Sequence, residues 1–180
     1  VMLKSTVHST GRFVIVADSI GETLVNESED VTGTINYRID AHDLQWTIRK
    51  SSLVINSIMN AINVADTGGI DIYLANNVVP ADLDLNFDIT SSSGDNLNQL
   101  GGGIINLIAE GIINMNGSMA FRGAGAHLQL AGDNIYNAAA ATNKIVTTVG
   151  AITVLTRDEG VAEGSEIIIE ETDSLFIYGV

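Results

Sequence analysis

Three features of this sequence together predict an all-β fold. The first is a residue usage of 23 Ile, 15 Val and 14 Thr beside 18 Gly, 16 Asn and one Pro. The second is a succession of short apolar runs bounded by turn residues, and the third is a phrase that returns after 23 residues. β-Branched side chains are stiff at χ1 and suit a pleated surface, whereas Asn and Gly supply the tight-turn conformations between strands. The arrangement that meets all three observations is a right-handed parallel β-helix, a β-solenoid with coils of roughly 20–24 residues, its hand being that of the usual parallel crossover. A β-sandwich or jelly roll is the alternative if the repeat is a coincidence, but aromatics make up only 5% of the chain, low for a sandwich core built on Trp and Tyr.

In chain order, strands are expected at residues 13–17, 34–39, 44–48, 53–58, 70–75, 83–89, 104–109, 112–115, 128–131, 145–149, 152–156, 166–170 and 175–178. The clearest alternation is Leu83-Asp84-Leu85-Asn86-Phe87-Asp88-Ile89, with apolar residues on one face and polar ones on the other. One segment competes as a helix. Ile55, Ile58, Met59 and Ile62 follow i, i+3, i+4, i+7 spacing behind Ser51 and Ser52 as a cap, yet the surrounding β-branched residues favour strands. Of the long polar stretches 22–33, 90–103 and 158–165, the middle one reads as a loop or irregular coil rather than a clear domain linker, so residues 1–180 form a single domain.

The repeat is read by shifting the chain 23 places. Ile105-Asn106-Leu107-Ile108-Ala109-Glu110-Gly111-Ile112-Ile113-Asn114 then falls on Leu128-Gln129-Leu130-Ala131-Gly132-Asp133-Asn134-Ile135-Tyr136-Asn137. A further copy follows at Ile152-Thr153-Val154, a shift of 24, and Val14-Ile15-Val16-Ala17-Asp18-Ser19-Ile20 has the same grammar. A period near this length is one coil of a three-sided solenoid, which cannot bury its inner face until coils stack. About eight coils at about 4.8 Å each would make a rod near 40 Å long.

The phrase at 105–135, INLIAEGIINMNGSM followed by AGAHLQLAGDNI, resembles the repeats of filamentous-haemagglutinin-type exoproteins, which are secreted Gram-negative adhesins with a right-handed parallel β-helix. The resemblance covers about residues 100–157, more loosely 53–77 and 13–20; the NPNL- or NPNG-type motif of their secretion domains does not occur. It implies an extracellular or cell-surface, elongated, non-enzymatic scaffold. Its partners would be other copies or neighbouring coils end to end, and a host-surface protein or glycan.

Charge narrows the classes. The chain has 180 residues and a mass of 19.0 kDa, with 22 acids against 8 Lys and Arg, a net charge of -14. A phosphate backbone or a polyanionic sugar needs a basic surface, so nucleic acid is excluded as a partner. No apolar run approaches eighteen residues, so membrane insertion by a helix is not expected, and no signal-peptide h-region opens the chain. Cysteine is absent, which removes disulfide staples, thiolate metal sites and cysteine nucleophiles.

No catalytic, cofactor-binding or metal-binding residue is assigned from the sequence, and no cofactor is expected. His8, His42 and His127 follow no ligand spacing and read as strand or turn residues. Asp82, Asp84 and Asp88 share a face if they lie on one strand; such a face binds Ca²⁺ or serves a polysaccharide hydrolase, but is also what a solvated strand looks like. Asp40 and Asp43 flank His42 without a GxSxG elbow to complete a triad. Trp46, ahead of Arg49 and Lys50, is a core residue before it is a sugar platform. Gly101-Gly102-Gly103 precedes a strand rather than a helix, which argues against a phosphate cradle.

Residues 157–180 carry Asp158, Glu159, Glu163, Glu166, Glu170, Glu171 and Asp173 against Arg157 alone, a face expected to be solvated. Neither end shows a capping helix, so the chain reads as a segment of a longer rod or as a subunit pairing end to end into filaments. The leading expectation is a non-enzymatic stalk, adhesin or extracellular filament. The alternatives are a self-assembling filament subunit and a β-helix polysaccharide lyase or hydrolase.

Overall fold

The structure, a computed structural model, describes residues 1–21, 23–27, 30–62, 69–75, 81–92, 103–116, 119–137, 144–156, 168–171 and 176–179. Every regular element among them is a strand: β1 (Val7–Ala17), β2 (Thr23–Glu27), β3 (Asp30–Ile35), β4 (Ile39–Ile48), β5 (Ser52–Ile55), β6 (Met59–Ile62), β7 (Gly69–Leu74) and β8 (Leu83–Leu85), then β9 (Ile89–Ser92), β10 (Ile104–Ala109), β11 (Ile112–Met115), β12 (Phe121–Gly132), β13 (Asn134–Asn137), β14 (Lys144–Thr156), β15 (Ile168–Glu171) and β16 (Phe176–Gly179). The competing helix at residues 55–62 is absent. Ile55 ends β5 and Ile62 ends β6, and the buried residues alternate as in strands, Leu53 and Ile55 on β5 and Met59 and Ala61 on β6.

Strand pairing is parallel throughout the described residues except for the antiparallel pair β2–β3. Three ladders result. The first joins the N-terminal parts of β1 and β4 to β6, β9, the start of β12, β14 and β15. The second joins the C-terminal parts of β1 and β4 to β7, β10, the rest of β12, the end of β14 and β16. The third runs β3, β5, β8, β11, β13. From β4 to β14 the chain visits first, second and third ladder in that order on every pass. The second ladder is seven strands deep, or about 29 Å at about 4.8 Å per step.

Inward positions carry apolar rows that follow the register. Leu44, Ile70, Ile105, Leu128 and Ile152 form one, and Ile15, Trp46, Ile72, Leu107, Leu130 and Val154 the next. Leu53, Leu83, Ile113 and Ile135 line the third ladder. All of these are buried, and the burial pattern of β7 alternates without exception. Each fully buried Leu or Ile contributes about 1.5–3 kcal/mol relative to exposure, so the stack of rows holds the fold.

The repeat is real but uneven. Ile105 pairs with Leu128 at a shift of 23 and Leu128 with Ile152 at 24, as the sequence indicates. Beyond the corner the 23-residue alignment slips. Ile113 pairs with Ile135 and Asn114 with Tyr136, a shift of 22, because two residues lie between Gly132 and Ile135 where three lie between Ala109 and Ile113. A second slip affects residues 14–20. Phe13 and Ile15, not Val14 and Val16, take the inward positions matching Leu44 and Trp46, and Val14 and Val16 face out. A one-residue shift in a strand exchanges its faces. Partner spacings run from 20 residues (Gly33 to Leu53) to 35 (Ile70 to Ile105), wider than expected.

One further expectation changes. The run 83–89 is two strands, since Asn86 and the residues after it turn the chain from the third ladder to the first. The polar stretch 22–33 holds β2 and the start of β3. At this end Leu3 and Ile20 are buried in the core, and a Cβ on Gly33 would lie 1.8 Å from the Ile20 carbonyl oxygen. Only glycine lets that backbone close over the interior.

Candidate functional site, a polar groove on the second ladder

Polar residues in this fold fall into columns, because each outward position stacks on its register partner. The first column sits at the corner after the third ladder. Asn36, Asn56, Asn86 and Asn116 each follow the last residue of β3, β5, β8 and β11. The Asn56 Nδ2 donates to Asn36 Oδ1 at 3.0 Å, and Asn86 Nδ2 donates to Asn56 Oδ1. Their backbone N–H groups repeat one bond, Asn56 to Ile35 O, Asn86 to Ile55 O and Asn116 to Leu85 O, at 2.8–3.0 Å. The amides of Asn36, Asn56 and Asn86 thus bond rung to rung where the chain turns.

The acids considered for chemistry are placed in the same way. Asp82 Oδ1 accepts from the backbone N of Ile112 at 2.7 Å, and Asp84 Oδ1 accepts from Asn114 Nδ2 at 2.6 Å. Asp88 lies beyond the turn, where it accepts from the backbone N of Ala120 at 2.8 Å and from Arg122 Nε at 2.7 Å. The three carboxylates therefore do not form one face. Each holds the next pass of the chain.

Asp40, 8% exposed, accepts from Arg38 Nε at 2.8 Å and from Asn60 Nδ2 at 2.6 Å. Burial pushes its carboxyl up, but the hydrogen bonds from Arg38 and Asn60, with the charges of Arg38 and His8, outweigh burial and leave it below its ordinary value. Trp46 is a core residue at 1% exposure, edge-on to Phe13 with ring centroids 5.8 Å apart. Arg49 and Lys50 pair with Asp18 at 3.3 and 3.0 Å. Glu170 of the acidic C-terminal stretch pairs with Lys144; Asp158, Glu159, Glu163, Glu166, Asp173 and the first two glycines of Gly101-Gly102-Gly103 lie outside the described residues.

A concave surface with converging polar groups lies on the outer face of the second ladder, a groove of about 260 Å³. Its axis is the outward row Gln45, Asp71, Asn106, Gln129, one residue from each of four consecutive strands. Arg12, Asp43, Gly69 and Ile104 form the neighbouring row, two residues earlier on each of the paired strands from β4 on. Gly69 opens the concavity between Asp43 and Ile104, since a Cβ there would meet the Ile104 carbonyl oxygen at 2.6 Å. Asp43 is fixed on three sides: the Gly69 N–H donates to Oδ1 at 3.1 Å, and His42 Nδ1 and Arg12 Nε lie 3.2 and 3.6 Å from Oδ2. Asn106 Nδ2 donates to Asp71 Oδ1 at 2.9 Å.

His127 borders the row, with Nε2 3.0 Å from Thr153 Oγ1 and Nδ1 3.4 Å from Gln129 Nε2. The Gln45 amide is exposed and makes no hydrogen bond to a described residue. His8, His42 and His127 sit on β1, β4 and β12, and among the described residues no group of three or more His, Asp or Glu could hold a metal ion.

Sequence reasoning reached Asp43 and His42 but not the groove. Its axial residues are 26, 35 and 23 positions apart, and the amides carry no motif. The signal available was the parity of each strand, which places them one step from a buried Ile or Leu. Compared with known protein families, with curated proteins and with solved structures, the chain matches none.

Proposed function

We propose that the three ladders are the faces of a right-handed β-solenoid and that the chain is a non-enzymatic structural and adhesive segment of a secreted or cell-surface protein. The observation that carries this reading is the fixed order in which the chain visits the ladders on each pass, with in-register parallel pairing from pass to pass. Such a chain gains stability by nearest-neighbour stacking and leaves its outer rows free to vary, which suits a scaffold. The state of the carboxylates favours a scaffold over a lyase or hydrolase, since Asp82, Asp84 and Asp88 are spent on backbone and side-chain donors.

Location and inertness are tested together. Antibodies raised against the chain should label intact source cells or their secreted fraction, and the purified chain should turn over no polysaccharide in a reducing-sugar and unsaturated-product assay. Confinement to the cytosolic fraction, or turnover abolished by Asp84→Ala, would overturn the reading.

A further inference from the structure

We infer that the groove on the second ladder binds a neutral oligosaccharide laid along the ladder axis, without chemistry. The inference rests on the register of the second ladder and stands apart from where the protein is located. The lining decides the ligand class by elimination. Two carboxylates, Asp43 and Asp71, face one guanidinium, Arg12, already beside Asp43, on a chain of net charge -14. A polyanion would be repelled. A divalent cation finds no converging oxygens, because Asp43 is held by Gly69, His42 and Arg12, and Asp71 Oδ1 by Asn106. A cationic peptide would use the carboxylates and leave the three amides without a role.

What the row offers is donors and acceptors together at three of its four steps and acceptors at the fourth. The amides of Gln45, Asn106 and Gln129 do both, and Asp71 accepts. A sugar hydroxyl also donates and accepts, so adjacent hydroxyls can pair with such a row. Ile104, a half-exposed large apolar side chain in the row beside it, matches the C–H face of a sugar ring. From Gln45 to Gln129 the row spans three strand spacings, about 14 Å. That length holds a few sugar units, and the step between rungs is close to one unit. Gln45 is the most telling member, since its amide is spent on nothing in the described fold.

Calorimetric titration of the purified chain with neutral hexasaccharides of glucose, xylose and mannose, beside hexagalacturonate and hexalysine, tests this. At least one neutral hexasaccharide should bind. Gln45→Ala and Gln129→Ala should each weaken it about fivefold or more with unchanged far-UV circular dichroism, and Asp71→Asn should weaken it further. If Asp71→Asn loses the fold, the two glutamine variants decide the matter. The inference is overturned if no neutral hexasaccharide binds, if binding survives both glutamine substitutions, or if hexagalacturonate or hexalysine binds more tightly than every neutral sugar. Failure here leaves the cell-surface labelling result intact, so the two readings fail separately.

Discussion

The asparagine corner and the second-ladder groove are both columns of stacked polar side chains, yet they behave differently. In the corner the amides of Asn36, Asn56 and Asn86 bond to one another, rung to rung, and the backbone beneath them repeats one bond. In the groove Asn106 and Asp71 close on each other while Gln45 is left open to solvent. A polar column satisfied within the chain works for the fold, because breaking it strands a partner that water must recover. A polar column left open adds little to stability and is available to a ligand. The distinction separates polar residues spent on the fold from those left available where no motif does.

Substitutions graded by position should reproduce that distinction. The largest loss is expected directly behind the groove. Ile72, fully buried next to Asp71 on β7, should cost about 2–5 kcal/mol when truncated to Ala, read by urea unfolding. A corner substitution comes next. Asn56→Ala removes both the donor to Asn36 and the acceptor of Asn86, so a loss of about 1–3 kcal/mol is expected in the same assay. A loss no larger than that of an exposed site would erase the contrast between the columns.

Asp40 sharpens the comparison through pH. Its carboxyl lies below its ordinary value in the folded chain, so the folded state binds this proton more weakly than the unfolded one. The stability it contributes is complete above the ordinary carboxylate range, about pH 4, and fades as pH falls toward the depressed value. Melting temperatures taken from pH 6 downward should therefore fall less steeply in Asp40→Asn than in the parent chain below about pH 4. The smallest effect belongs to the open column. Gln45→Ala should shift unfolding free energy by no more than about 0.5 kcal/mol while changing sugar binding.

How much of this was legible depended on whether a feature repeats at a constant interval. β10 and β11 have the bounds the apolar runs indicate, and the register of Ile105 on Leu128 and of Leu128 on Ile152 follows from the repeated phrase. The asparagine corner escaped a fixed-shift search because its rungs are 20, 30 and 30 residues apart. Its local signature was visible all the same: Ile35-Asn36, Ile55-Asn56, Leu85-Asn86 and Met115-Asn116, each followed within three or four residues by Ile39, Met59, Ile89 or Met119. The face exchange at residues 13–17 could not be settled from hydropathy, since Phe13 to Ala17 are apolar without interruption and either parity buries them. The candidate acids misled for a related reason. Alternation at 83–89 continues through a turn, so Asp88 keeps the rhythm of Asp82 and Asp84 while belonging to another ladder.

Outward residues far apart in sequence stack at one strand spacing per pass. Pulsed electron–electron distance measurements test this stacking most directly, and a chain without cysteine accepts spin-label pairs without background. Labels at Val14 and Asn106, Val14 and Gln129, and Val14 and Thr153 sit on one row, three, four and five steps apart. Backbone separations of about 14, 19 and 24 Å are expected, so the three distances should rise in equal increments of about 4.8 Å. Distances that do not rise in that order, or increments that differ severalfold, would contradict the stacked parallel ladder and with it the groove.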